Sequence, residues 1–92
     1  MKELIKSIRN FSQIRDWDQF HSPKNLAMAL SVEVAEIVEH FQWLTQAQSE
    51  NLDSAKRAEI KEEIADVLIY LTRLADRLGI DPVQAAEEKI PC

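Results

Sequence analysis

The sequence predicts an all-α protein, a single four-helix, bundle-like domain of residues 1–92. One glycine and three prolines are fewer than the turns of a β-rich fold or a glycine-rich phosphate loop require. Hydrophobic residues make up 46% of the chain, which indicates a folded core rather than disorder. These residues recur at spacings of three and four, the period of one helix face. The length allows one domain.

The first predicted helix runs from about Lys2 to Arg15. Its apolar residues follow the helical period: Leu4, Ile5, Ile8, Phe11 and Ile14. The next segment, residues 16–22, breaks this period and carries Trp17, Phe20 and His21.

The second predicted helix extends from Lys24 to about Thr45. Ser22 and Pro23 precede it, and a serine N-cap followed by proline at the first helical position is a typical helix start. Residues 46–53 are polar and predict a loop.

The third predicted helix is capped by Asp53 or Ser54 and continues to Leu78, where Gly79 favours a C-terminal cap. A short fourth helix begins after Asp81 and ends near Lys89. The second and third helices are thus the two long elements of the domain.

Both long helices carry apolar residues on more than one face. Because a helix that is apolar nearly all round must be buried nearly all round, we expect further copies of this chain to cover the second face. The sequence therefore predicts a homo-oligomer. The alternative is an ordinary bundle with a few exposed leucines.

Two acidic pairs interrupt the apolar stripes of these helices. Glu33 and Glu36 are three residues apart, and Glu63 and Asp66 repeat this spacing, so each pair lies on one side of its helix. Antiparallel packing of the helices would gather four carboxylates, which repel each other unless a cation lies among them. Neighbouring Glu62 points elsewhere and is expected to be solvated. Solvated surface acids are the alternative for each pair taken alone.

Carboxylate ligands without thiol or imidazole suit Mg²⁺, or Mn²⁺ in its place, and argue against Zn²⁺. A di-iron bundle is disfavoured because no Glu-x-x-His occurs. Magnesium held by a few carboxylates completes its coordination with phosphate oxygens, so the pattern predicts phosphoryl or nucleotidyl chemistry. Aromatic rings near the acids would hold a base by stacking. Candidates are Trp17, Phe20, Trp43 and Tyr70, of which Phe20 and one tryptophan also suit the core.

Charge and composition exclude other classes. The net charge of −5 argues against a nucleic-acid polymer as partner, because such proteins need a basic surface. No apolar run reaches the ~20 residues of a membrane span, and the N-terminus lacks the apolar core of a signal peptide. The single cysteine, Cys92, cannot form an internal disulfide. We therefore expect a cytoplasmic protein that has no membrane partner.

The joint motif Glu33-x-x-Glu36 and Glu63-x-x-Asp66 resembles the metal motif of the MazG-like all-α nucleoside triphosphate pyrophosphohydrolases. The segments RDWDQFHSPKNLAMAL, SVEVAEIVEHFQW and EEIADVLIYL are similar to the small dCTP pyrophosphatase branch. The resemblance implies Mg²⁺-dependent hydrolysis of a (deoxy)nucleoside triphosphate to the monophosphate and pyrophosphate, in house-cleaning of the nucleotide pool. It also implies a dimer or a dimer of dimers.

Site residues follow from the same resemblance. The four acids would be the metal ligands and the catalytic residues. Seven others would bind substrate: Trp17, His21, Lys24, Asn25, Trp43, Tyr70 and Lys89. Lys24 and Asn25 also begin a helix, and a helix N-terminus with a lysine favours phosphate.

The C-terminal sequence departs from the family pattern. In the family, an asparagine and further basic residues follow the position of Lys89, whereas this sequence reads EEKIPC. The tail is therefore short relative to the family. This difference motivates a second hypothesis, a catalytically weak oligomeric helical module that binds nucleotide or a protein partner. A purely structural helical dimer is the third, and it would leave the acids in the apolar stripes unexplained.

Overall fold

A computed structural model describes residues 2–14 and 21–90 of the chain. Its helices are α1 (Lys2–Ile14), α2 (Pro23–Phe41), α3 (Gln46–Ser49), α4 (Ser54–Arg77) and α5 (Pro82–Lys89). The predicted all-α class is confirmed, and these two ranges contain no strand. Trp17, Phe20 and Cys92, which the sequence singled out, lie outside the described residues.

Short polar side chains begin the helices as the sequence predicts. The Ser22 hydroxyl accepts a hydrogen bond from the Asn25 backbone N–H at 3.2 Å, and the Asp53 carboxylate accepts one from the Lys56 N–H at 2.7 Å. Asp81 caps α5 in the same way. Each bond satisfies a backbone donor that the first helical turn leaves without a partner.

The connection between the long helices differs from the prediction. Helix α2 ends at Phe41 rather than near Thr45, and the polar stretch predicted as a loop contains the one-turn helix α3. Thr45 and Gln48 form a reciprocal capping box, in which each side chain accepts the other residue's backbone N–H at 3.0–3.1 Å. The sequence analysis missed α3 because four residues are too few to display a helical period.

Gly79 ends α4 as predicted. Its φ of 70° is a left-handed conformation that glycine adopts without a steric cost. The Gly79 N–H donates to the Asp76 carbonyl, and the Ile80 N–H donates to the Ala75 carbonyl at 2.8 Å, which is the Schellman pattern.

Helix α4 is the centre of the fold, because α1 and α2 both pack against it. The end of α2 meets the beginning of α4 where His40 contacts Glu63, so the two long helices are antiparallel, as predicted. The buried apolar side chains of the described residues are few: Ile8, Leu26, Ile60 and Ala75.

Large apolar side chains remain exposed on both long helices. Val32 is 57% exposed on α2 and Ile64 is 54% exposed on α4. The radius of gyration of 15.4 Å exceeds the ~12–13 Å typical of a compact domain of this length. The prediction that apolar residues extend beyond one helix face is therefore confirmed. Within the described residues, no helix combines the length and the hydropathy needed to cross a bilayer.

Candidate active site

The four predicted metal ligands lie on the two helices that pack together. Glu33 and Glu36 lie on α2, and Glu63 and Asp66 lie on α4. Asp66 is exposed, and the other three side chains are half-buried.

The acids share one electrostatic environment. Burial raises the pKa of Glu33 above its ordinary value, and the negative charges of Glu36 and Asp66 raise it further. A hydrogen bond with Glu36 and the charge of Glu63 act in the same direction. The pKa of Tyr70 is raised by burial first and then by the charges of Glu33 and Asp66. The negative charges of acids on both helices therefore raise the pKa values of Glu33 and Tyr70.

The carboxylates do not converge on a common point. Among the described residues, no three side chains of the His, Cys, Asp and Glu types lie close enough together to enclose a metal ion. Like charges repel at short range, and Glu63 lies against His40 instead, with 2.6 Å between the imidazole Nε2 and the carboxylate Oε2. The assignment of the four acids as ligands stays a prediction.

Glu63 nevertheless offers an oxygen suited to a cation. Its Oε2 atom is buried, and despite the short approach of His40 it receives no hydrogen bond of good geometry. A buried carboxylate oxygen without an aligned donor is costly unless a cation or another donor compensates it. Together with three further carboxylates, this donor chemistry fits a hard divalent cation.

A cavity of about 370 Å³ opens beside these acids, between α1 and α4. Asp66 and Tyr70 line it from α4, and His21 lines it from the segment before α2. The His21 and Tyr70 rings are 6.2 Å apart between centroids and inclined by 51°. Burial lowers the pKa of His21, and the charge of Arg77 lowers it further, so both effects favour the neutral imidazole. The cavity has the size and the aromatic lining of a small-molecule site.

Other predicted substrate residues lie elsewhere. Trp43 is 86% exposed and lines a separate cleft between the end of α2 and the beginning of α4. Lys24 and Asn25 are exposed on the first turn of α2, and Lys89 is exposed at the end of α5. Within the part of the chain that the structure describes, these four residues do not line the His21–Tyr70 cavity.

Sequence reasoning missed three polar residues at this site. Ser12 and Arg73 are buried and line the cavity, and His40 contacts Glu63. The position of His40 four residues after Glu36 could have revealed it, since that spacing places both on one helix face. Nothing in the sequence alone distinguishes Arg73 from other helix arginines.

A family comparison decides the classification. The sequence model of the MazG-like family matches residues 28–91, which are 64 of the 92 residues. The chain belongs to the MazG-like family. The matched region contains both acidic pairs and all of α4, so the resemblance stated from the motif is confirmed. Membership implies a divalent metal ion, in agreement with the carboxylate donors.

Curated relatives match most of this MazG-like chain. It is 44% identical over 92 residues to dCTP pyrophosphatase 1 of Rattus norvegicus, covering 98% of this chain and 54% of the rat protein. It is 47% identical over 83 residues to the Homo sapiens protein of the same name, covering 88% of this chain and 49% of the human one. The chain thus spans about half the length of the curated relatives it matches.

A solved structure has the same fold. The crystal structure of a pyrophosphatase from Archaeoglobus fulgidus superposes with a TM-score of 0.90 at 43% identity, covering 97% of this chain and 83% of that one. This MazG-like chain therefore shares its all-α fold with that pyrophosphatase.

Proposed function

We propose that this chain hydrolyses deoxynucleoside triphosphates to the monophosphate and pyrophosphate, with dCTP or a related dNTP as substrate. The observation that carries the proposal is the pairing of acids on the packed helices α2 and α4 beside the His21–Tyr70 cavity. The relatives named dCTP pyrophosphatase support the substrate class. Such an enzyme would clear unwanted nucleotides from the cytoplasmic pool.

The chemistry assigns a role to each part of the site. Glu33, Glu36, Glu63 and Asp66 would hold Mg²⁺, with Mn²⁺ as an alternative. When bound, Mg²⁺ neutralises phosphate oxygens and polarises the attacking water. One of the four carboxylates would accept a proton from that water as it attacks phosphorus. The phosphoanhydride bond between the α- and β-phosphates breaks, and pyrophosphate and the nucleoside monophosphate leave.

Ring-bearing residues would hold the nucleoside. Tyr70 and His21 offer stacking faces inside the cavity, and Asp66 joins the cavity to the acids. Stacking tolerates every base, so the rings supply affinity rather than base selectivity. Trp17 and Trp43 remain part of the proposal as further base contacts, and Lys24, Asn25 and Lys89 as contacts to the triphosphate.

The proposal includes a homo-oligomer, as a dimer or a dimer of dimers. Its support is the exposed apolar surface of α2 and α4 and the small number of buried apolar residues among those that the structure describes. A second copy packed on this surface would remove apolar area from water, the main favourable contribution to association.

A product assay tests the activity. The chain is incubated with each dNTP and Mg²⁺, and the released ion is identified as pyrophosphate or orthophosphate. Glu63→Gln should abolish turnover, because a neutral amide cannot supply a metal-binding charge. The matched control is Glu62→Gln, which changes the exposed neighbour and should retain turnover. Nucleotide binding without turnover in the unmodified chain would refute the proposal and support the catalytically weak binding module instead.

A further inference from the structure

His40 connects α2 to two residues of α4. Its Nε2 atom lies 2.6 Å from Oε2 of Glu63, and its Nδ1 atom lies 3.2 Å from Nζ of Lys56. Lys56 and Glu63 are seven residues apart, which places them on one face of α4, two turns from each other. The His40 side chain is 14% exposed, so both contacts form in a largely water-excluded position.

Lys56 determines which imidazole nitrogen carries the proton. A lysine ammonium group can only donate, so Nδ1 of His40 accepts from it and is unprotonated. The imidazole proton is therefore on Nε2, the atom that faces Glu63. The N–H of the imidazole is thus on the side of Glu63, although it makes no hydrogen bond of good geometry with Oε2.

Glu59 balances the charge of Lys56. Its Oε2 atom lies 3.5 Å from Nζ of Lys56 and 3.9 Å from Nδ1 of His40. The positive charge beside the imidazole thus has an acidic partner outside the four predicted ligands. Glu63 is left as the acid that faces Nε2.

The contact leaves the two oxygens of Glu63 unequal. Oε2 is buried next to Nε2 of His40, and the N–H is not directed along the line between the two atoms. Contact with a neighbouring side chain restricts the rotation of a carboxylate, and residues behind metal ligands commonly orient those ligands in this way.

We propose that His40 is a positioning residue that orients Glu63 toward the metal ion, with Lys56 fixing its tautomer. The inference rests on the proposed function, because it takes Glu63 as a metal ligand. His40 itself touches neither metal nor substrate in this role. It acts by removing rotational freedom from Glu63 before the metal binds.

Two variants of His40 test the role, with Mn²⁺ alone as the probe and calorimetric titration of the full chain as the readout. His40→Leu removes the donor, and the dissociation constant for Mn²⁺ should rise roughly 10-fold to 100-fold. His40→Gln keeps an N–H toward Glu63 and an acceptor toward Lys56, and it should restore binding to within about 3-fold. Melting temperatures without metal report whether each variant folds.

A second pair of variants tests the tautomer. Lys56→Met removes the ammonium group and should weaken Mn²⁺ binding less than His40→Leu does, because the imidazole can then adopt either tautomer. Lys61→Met is the matched control on the same helix and should bind as the unmodified chain does. Equal Mn²⁺ affinity in His40→Leu and the unmodified chain would overturn the inference, as would a lower melting temperature with unchanged affinity.

The role of His40 can be refuted without refuting the proposed function. Loss of binding in Glu63→Gln with normal binding in His40→Leu refutes the role of His40 alone. An unmodified chain that binds no Mn²⁺ and releases no pyrophosphate refutes the proposed function and this inference together.

Discussion

Arg9 and Asp76 form a bidentate pair that joins α1 to α4. The guanidinium Nε donates to Oδ2 at 2.7 Å, and a terminal nitrogen donates to Oδ1 at 2.5 Å. The pair lies at the end of α4 that is distant from His40. It fixes α1, whose residues form one wall of the His21–Tyr70 cavity.

This pair makes stability depend on pH. The hydrogen bond from Arg9 lowers the pKa of Asp76 below its usual value, burial opposes this shift, and the charges of Arg9, Arg73 and Arg77 reinforce it. The folded state therefore binds fewer protons than the unfolded state near the ordinary aspartate pKa of about 4. The stabilisation is complete above that value and is lost as the pH falls through the lowered folded-state pKa.

Arg9→Met should accordingly lower the urea midpoint at about pH 7 and should lower it less at acidic pH, as Asp76 becomes protonated. Arg57→Met, at an exposed arginine of α4, is the control and should have little effect at either pH. An equal loss of stability at both pH values would mean that Arg9 contributes through packing rather than through its charge.

Removing the charge of one of the four acids should preserve or raise the stability of the metal-free chain and should weaken metal binding. Burial and the charges of Glu36 and Asp66 disfavour the ionised form of Glu33. Glu33→Gln should therefore melt at the same or a higher temperature than the unmodified chain without metal. Saturating Mg²⁺ should stabilise the unmodified chain by about 2.7 kcal/mol at 100 times the dissociation constant, and the variant much less. Calorimetric melting with and without Mg²⁺ measures both effects, and equal stabilisation of the two would exclude Glu33 as a ligand.

Tyr70 should contribute to substrate affinity through its ring. Base stacking on an aromatic side chain is worth about 1–3 kcal/mol, so Tyr70→Leu should raise KM for the preferred dNTP about 10-fold or more. Tyr70→Phe keeps the ring and should leave KM within about 3-fold. Steady-state kinetics with a dNTP series checks the pair. A large loss of kcat in Tyr70→Phe would instead assign the role to the hydroxyl, whose pKa is raised by burial and by the charges of Glu33 and Asp66.

The exposed apolar stripe of α4 should mediate self-association. Ile64, Leu68 and Leu71 follow the helical spacing and are all exposed. Leu68→Lys would place a charge in this stripe and should reduce the mass in light scattering to the 10.6 kDa of one chain. Gln46→Lys, the same charge change at an exposed position of α3, should not. A mass of 10.6 kDa for the unmodified chain would refute the oligomer.

Local sequence signals predicted most element boundaries. Ser22, Asp53 and Asp81 are N-caps, and Gly79 is the C-terminal cap, because these positions depend on a few neighbouring backbone groups. The end of α2 was predicted about four residues too late, since the apolar pattern continues through Trp43 although the helix does not. Periodicity records which residues avoid water and does not by itself mark where hydrogen bonding ends.

The sequence by itself determined the all-α class, the antiparallel long helices and the two acidic pairs, because helical spacing alone places i and i+3 residues on one side. Only the tertiary structure decided which acid meets which neighbour. The contact of His40 with Glu63 and the burial of Arg73 in the cavity require side chains from different helices or the angle at which helices cross. That angle depends on how whole surfaces pack, a property that no short motif encodes.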